Sequence, residues 1–412
     1  MMARSPSPAA GGHSTLRLSG NRLTGVDAAR GLALLGMMAT HLMPTFESDA
    51  NLTPTWVGLA FSGRASALFA VLAGVGLALS TGRQVPLAGP ALGLARRGIA
   101  LRALVIAVVG LTLGGLEVNV AIILVHYAAL FLCVLPFLGL PVRHLLAWAG
   151  GWILLAPLVA YLLRPWFLAG DPPLHLGHNP SWEDLGTPGP LLGDLFLTGY
   201  YPVFQWLAFV LVGLAIGRIP LHRARVAALL LVAGTAVAIA AKALGNALME
   251  DWGGRQALEA VLDEPRWPLE SLLQVNLTGI EQTGSWWWLA TAAPHSGTTL
   301  DLLHSASAAA AVLGGCLLLG SLGTWLNLDL LLPLRGAGAM TLSLYTVHVW
   351  VLAAFYVDGR PDGWTDEGMY TAQAITAVAL GILFAVLKWR GPLEQVAHGA
   401  HVLGSRPLTP VR

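Results

Sequence analysis

Nine side chains able to carry charge or move a proton fall within apolar stretches of the chain: Asp27, Arg30, His41, Arg64, His126, Lys242, Asp301, His304 and His348. Ionisable groups in hydrocarbon are costly, so each is a functional candidate. An imidazole can take a proton near neutral pH. A guanidinium can hold an anion, or stabilise the negative charge that develops on a reacting carbonyl. Histidine and cation together suit group transfer, acyl transfer in particular. Several histidines could instead bind a metal. However, no helix carries H-x-x-x-H or H-E-x-x-H and no cysteine lies near a histidine, so no metal is expected. Simpler roles exist for some members. Asp27 and Arg30 suit a helix start, where an acid favours the dipole and an i,i+3 pair adds a little stability. Lys242 can snorkel to the interface. Cys133 and Cys316 sit in apolar runs and read as small core residues.

The elements that hold these groups must be membrane helices. Of 412 residues, 55% are hydrophobic and 11% charged, and the mean hydropathy is +0.67. Soluble domains carry about 25% charged residues, so this chain cannot cover a water-facing surface. The composition excludes a disordered protein, a nucleic-acid binder and a disulfide scaffold, and a formal net charge of +1 recruits no polyanion. A bilayer core takes about 20 apolar residues per helix. On that ruler ten spans are expected: 24–45, 56–80, 100–116, 119–140, 144–163, 197–217, 225–248, 298–321, 337–357 and 369–388. Nine or eleven are alternatives, since 325–334 is apolar too. The expected fold class is all-α, a polytopic transmembrane helix bundle over 23–394. A disordered lead at 1–22, without an apolar signal-peptide core, precedes it, and a tail at 395–412 follows.

With the N-terminus in the cytoplasm, 17 of the 23 Lys and Arg residues fall on the inner side. The positive-inside rule then makes both termini cytoplasmic, in a plasma (inner) membrane, with the lipid bilayer itself as partner. Two outer loops are long, 164–196 with Asp171-Pro172-Pro173 and Trp182, and 249–297 with Trp252, Trp267 and Trp286-Trp287-Trp288. Their indoles suit the headgroup level. No internal repeat is visible, which weakens a transporter built on inverted repeats.

Depth along these spans is informative. Arg64 falls about 12 Å into its span. His41, His126, His304 and His348 also fall in the outer half of theirs, so five groups from five helices share a level. Asp27, Arg30, Leu34 and His41 lie on one helical stripe, Asn119 shares a face with His126, Thr341 and Tyr345 with His348, and Asp301 with His304. The simplest bundle points all these faces at a common interior.

The stretch Leu23-Thr-Gly-Val-Asp27-Ala-Ala-Arg30-Gly31 resembles the opening of the transmembrane acyltransferase superfamily, which includes heparan-α-glucosaminide N-acetyltransferase and the bacterial YeiB-like membrane proteins. Similar to the bacterial branch are Ser62-Gly63-Arg64-Ala65-Ser66, Thr198-Gly199-Tyr200-Tyr201-Pro202, Pro294-His295-Ser296-Gly297-Thr298, Met340-Thr-Leu-Ser-Leu-Tyr345-Thr-Val-His348 and Gly391-Pro392-Leu393-Glu394. The resemblance implies transfer of an acyl group, acetyl in the first place, from cytosolic acyl-CoA to an outer acceptor such as a sugar or envelope glycan. His348 matches the family's histidine three residues after a tyrosine, and His41 stands where the lysosomal enzyme has an active-site asparagine. The histidine that precedes the tryptophan corresponding to Trp56 has no counterpart, since Thr53-Pro54-Thr55 fill those places. Neither glucosamine N-acetylation nor a covalent acetyl-histidine route is therefore implied.

The expected roles follow. His41 or His348 is the general base, Arg64 stabilises the oxyanion, and Arg30, Arg96 and Arg97 meet the phosphates of acyl-CoA. Asp27, Arg30, His126, Asp301, His304 and Tyr345 form the supporting polar core. A homo-oligomer is left open. The rival reading is a proton-coupled transporter or exporter that uses the same polar interior without covalent chemistry.

Overall fold

The computed structural model describes residues 23–49, 51–169, 177–262, 268–277 and 280–407. The lead at 1–22, Asp171, Pro172, Pro173 and Trp267 lie outside the described residues. Within them the chain forms helices and irregular joins, with one isolated β-bridge between Phe46 and Pro54 and no strand.

The helices run in order as α1 (Thr24–Leu42), α2 (Trp56–Phe61), α3 (Arg64–Ser80), α4 (Gly89–Gly114), α5 (Leu124–Cys133), α6 (Val142–Leu168), α7 (Pro188–Gly193) and α8 (Val203–Gly217). There follow α9 (Ala224–Glu250), α10 (Gly254–Glu259), α11 (Leu269–Val275), α12 (Thr299–Leu326), α13 (Leu332–Gly338), α14 (Thr341–Asp358), α15 (Asp366–Val386) and α16 (Pro392–Gly404). Among the described residues, seven helical stretches are long and apolar enough to cross a membrane: Trp56–Ser80, Gly89–Gly114, Val142–Leu168, Ala224–Glu250, Thr299–Leu326, Thr341–Asp358 and Asp366–Leu387. An eighth forms if Pro188–Thr198 and Val203–Gly217, bent by 53° at their junction, count as one broken span. The molecule is a multi-pass membrane protein.

Two of the ten expected spans take other forms. α1 is buried and 19 residues long, but Asp27, Arg30 and His41 make it polar at both ends. The stretch 119–140 is not one helix: residues 115–123 are irregular and α5 has ten residues. Here Asn179 supplies what a helix would have supplied. Its Oδ1 accepts the Ile122 amide at 2.8 Å and its Nδ2 donates to the Val120 carbonyl at 2.8 Å, so the backbone is satisfied without helix. Asn119 therefore shares no helix with His126.

Glycine sets how closely the helices approach. A Cβ on Gly31 of α1 would strike the Leu334 carbonyl, and one on Gly338 of α13 would strike that of Asp27. The two backbones touch, as small residues allow in membrane bundles. α3 and α8 meet the same way at Gly74 and Gly213, while α9 lies along α12.

The segment expected to be a tail is structural as far as Gly404. α16 packs against α4, where Gly98 abuts His401 and Ser405. Its Glu394 accepts the amides of Leu342 at 2.6 Å and Ser343 at 3.2 Å, and the Ser343 hydroxyl at 2.5 Å. A carboxylate thus covers the free N–H groups that begin α14, where the helix dipole favours it.

Candidate active site

A cavity of about 790 Å³ enters the bundle between α1, α3, α4, α5, α14 and α16. At its wide end stand Arg30, Arg83, Arg102 and Arg390, with His398, His401 and Trp389. Arg30 pairs with Asp27 at 3.2 Å and reaches the Leu72 carbonyl at 3.4 Å, and Gly76 leaves room for its guanidinium. Arg102 lies over the Phe131 ring at 5.6 Å. The one acid at this mouth besides Asp27 is Glu394, already committed to α14. The cavity is therefore cationic. Arg96 is not part of it: its guanidinium donates to the carbonyls of Leu135 and Pro136 at 2.9 and 3.1 Å, and Arg97 is exposed outside it. His398 and His401 have lowered pKa values, through burial first and then through their cationic neighbours Arg390 and Arg102.

The narrow end is apolar apart from two phenols. Met37, Ile123, Tyr127 and Tyr345 line it, and the hydroxyls of both tyrosines are buried without a hydrogen-bond partner among the described residues. Beyond Tyr345 stand two histidines. His41 Nδ1 lies 3.0 Å from His348 Nε2, with the rings stacked at 5.2 Å, and the His41 ring is 6.5 Å from that of Tyr345. His348 is buried, whereas His41, in the last turn of α1, keeps part of its surface accessible.

The remaining candidates form two further groups, which Tyr201 links, its ring 5.6 Å from that of His126 and 5.8 Å from that of His295. Arg64 begins α3 just after Gly63, whose φ of +70° breaks it from α2, and donates to the Ser62 carbonyl at 3.1 Å. Asp301 and Lys242 lie in its electrostatic field. Asp301 is already engaged, accepting the Gly297 amide and the Ser305 hydroxyl at 3.0 Å each. His304 meets the Ala238 carbonyl at 2.9 Å. Among the described residues no hydrogen bond or ion pair joins Arg64 to His41 or His348. His126 forms the third group, fully buried, edge-on to Tyr201 at 5.6 Å, and close with Asp194 around Gly199. Both ring nitrogens of His126 and both Asp194 oxygens lack hydrogen-bond partners. α1 and α3 pack on each other and both pack on α12, while α1 also meets α14 and α15.

Residues 22–249, more than half of the chain, match the family model described as heparan-alpha-glucosaminide N-acetyltransferase, catalytic. The chain belongs to this family. No curated protein matches it. The family stretch carries Asp27, Arg30, His41, Arg64 and His126, while Tyr345, His348 and α16 lie beyond it and close on it in space.

Sequence reasoning missed several residues. His295 was assigned to an outer loop, yet it holds φ +62°, stacks 6.3 Å from Trp206 and sits beside Arg64, and a non-glycine residue at positive φ marks local strain. Burial, then the charge of Arg64, pushes its pKa down to about 4. Gln373 bonds His348 but is uncharged, so a search for ionisable groups passes over it. His398 and His401 were read as tail; their spacing on one face of a helix that begins Gly391-Pro392 was the available signal.

Proposed function

We propose that this protein transfers an acyl group, acetyl in the first place, from acyl-CoA entering at the basic end of the cavity to an acceptor that reaches His41 from the opposite side. The observation that carries this reading is the position of Tyr345, which lines a cationic cavity and has its ring 6.5 Å from that of His41. The residues present suit the donor. Arg30, Arg83, Arg102 and Arg390 match its phosphates, as guanidinium forks do. Trp389 offers a face for adenine, and the apolar narrow end takes the pantetheine arm and the acyl group. At about 790 Å³ the cavity has the size of a small-molecule site.

In the reaction, a histidine of the His41–His348 pair takes the proton of the acceptor hydroxyl or amine. The acceptor atom bonds the acyl carbon, the carbon–sulfur bond breaks, and the leaving thiolate recovers the proton as CoA thiol. The Tyr345 hydroxyl, unpartnered at the end of the cavity, suits the developing oxyanion. Arg64, Asp301 and His304 then belong to the acceptor side, with His126 between them and the cavity. Family membership supports group transfer over transport, and a sugar or envelope glycan as acceptor. The basic mouth supports cytoplasmic termini in a plasma membrane, by the positive-inside rule.

Thermal unfolding of the purified full-length protein with acetyl-CoA, longer acyl-CoAs and free CoA tests the donor. A ligand at about 100 times its dissociation constant adds roughly 2.7 kcal/mol, and the melting point should rise. No rise with any of them, in a protein shown to be folded, overturns the reading.

A further inference from the structure

His348 is held from behind. Gln373, on α15, places Oε1 2.6 Å from His348 Nδ1. An amide oxygen only accepts, so His348 Nδ1 carries the proton in this bond. A neutral imidazole has one donor and one acceptor nitrogen, which makes His348 Nε2 the acceptor. The 3.0 Å contact then requires His41 Nδ1 to donate. The lone pair at the end of the series is left on His41 Nε2, on the ring that keeps surface accessible, while both nitrogens of buried His348 are used. Among the described residues no other side chain hydrogen-bonds either ring, and Tyr345 is the titratable group facing His41.

We infer that Gln373 is a positioning residue that fixes the tautomers of both histidines, so that His41 Nε2, and not His348, is the base that meets the acceptor. The inference rests on the acyl-transfer reading for its chemistry, though not for its geometry. When His41 Nε2 takes the acceptor proton, the Nδ1 proton of His41 passes to His348 Nε2, and the positive charge comes to rest on a ring whose remaining N–H points at the Gln373 oxygen. The proton returns by the same route to the departing thiolate. With the amide turned over, Gln373 would donate, every bond in the series would reverse, and His41 Nε2 would carry a proton instead of a lone pair. The two arrangements give opposite results by experiment.

The first arm needs no acceptor. In full-length protein labelled with ¹⁵N-histidine, ring signals of His41 and His348 are identified by their loss in His41→Asn and His348→Asn. Two-bond proton–nitrogen correlations then report which nitrogen holds the proton. The expected result is Nδ1–H on both rings in the wild type and in Gln373→Glu, and loss of the single tautomer in Gln373→Met. A proton on His41 Nε2 in the wild type, or an unchanged pattern in Gln373→Met, overturns the assignment.

The second arm follows thiol release from acetyl-CoA with glucosamine as probe acceptor. Gln373→Met should lower kcat about 10- to 100-fold, as loss of an outer hydrogen-bond partner typically does, with KM for acetyl-CoA unchanged. Gln373→Glu should restore most of kcat and move the acid limb of the pH profile upward, because a carboxylate stabilises the imidazolium behind it. A Gln373→Met protein with wild-type kcat and pH profile overturns the inference. If the wild type releases no thiol with glucosamine, that acceptor is ruled out, thermal unfolding with acyl-CoAs decides the acyl-transfer reading, and the first arm alone upholds or overturns the tautomer assignment. Gln373 Nε2 has no hydrogen-bond partner among the described residues, so Gln373→Met removes one bond only, that of His348 Nδ1–H, and a melting curve of Gln373→Met beside Gln373→Glu, which keeps an acceptor, verifies that the fold holds.

Discussion

Tyr345 lines a cationic cavity and its ring stands 6.5 Å from that of His41, which does not line it. In the acyl-transfer reading this phenol, whose hydroxyl has no hydrogen-bond partner among the described residues, stands between donor and base. Tyr345→Phe removes that hydroxyl without leaving another group unpaired, so the melting point should stay within about 1 kcal/mol of wild type. Turnover of acetyl-CoA should fall about 100-fold if the hydroxyl stabilises the oxyanion. Equal turnover in the two proteins would remove Tyr345 from the chemistry.

The donor site should respond to charge and to pH. Arg102→Gln and Arg390→Gln each remove one cation from the mouth. Each should weaken CoA binding about tenfold by titration calorimetry, the loss of one charged hydrogen bond of ~1.5 kcal/mol. The pKa values of His398 and His401 are lowered, by burial first and then by neighbouring arginines, so both rings are neutral at pH 7.5. Bound phosphates favour their protonated forms. Affinity for CoA should therefore rise as the pH falls from about 7.5 to 6, and that rise should vanish in a His398→Ala, His401→Ala double variant. A double variant with the wild-type pH dependence would mean the phosphates lie elsewhere.

His295 predicts how stability changes with acid. Its folded pKa is about 4, lowered by burial and then by Arg64, against about 6.5 in an unfolded chain. Between those values the unfolded state binds a proton that the folded state refuses, so stability is lost as the pH falls from about 6.5 towards 4. His295→Asn removes the proton and tolerates the positive φ. Melting curves of wild type should fall more steeply with acid than those of the variant, by up to about 1.4 kcal/mol per pH unit. Parallel curves would show that His295 is not the group responsible.

Arg218 is the cation that should matter for folding and not for turnover. Its guanidinium donates to the carbonyls of Ala78, Thr81, Arg83 and Leu138 at 3.1, 3.0, 2.7 and 2.5 Å, and to the Thr81 hydroxyl at 3.0 Å. It covers the carbonyls that end α3 and ties them to the segment after α5. Arg218→Met leaves several of these unpaired and should cost about 3 kcal/mol or more. Arg218→Lys cannot span the same fork and should recover less than half of that. Wild-type melting points in both variants would contradict the clamp.

How far the sequence alone reaches follows from the range of each interaction. Asp27 and Arg30 stand one helical turn apart, so their pairing is written into a single element and was legible. The same holds for the stripe from Asp27 to His41, and for Tyr345 with His348 on α14. Composition and apolar run length determined a helical membrane protein, because a bilayer admits few other ways to satisfy the backbone. The tertiary structure decided the rest. His41 and His348 meet across 307 positions, and nothing local to either ring indicates the other. Arg64 was expected at their depth, yet its electrostatic partner is Asp301 of α12, since depth follows from position in a span whereas direction follows from the neighbours a helix packs against. The irregular backbone before His126 depends on Asn179, 57 positions away from the amide it accepts. α16 becomes a wall of the cavity because it packs against α4 and because Glu394 reaches across to begin α14. Local rules specify what each helix can present. Only packing decides which of those surfaces come to share a site.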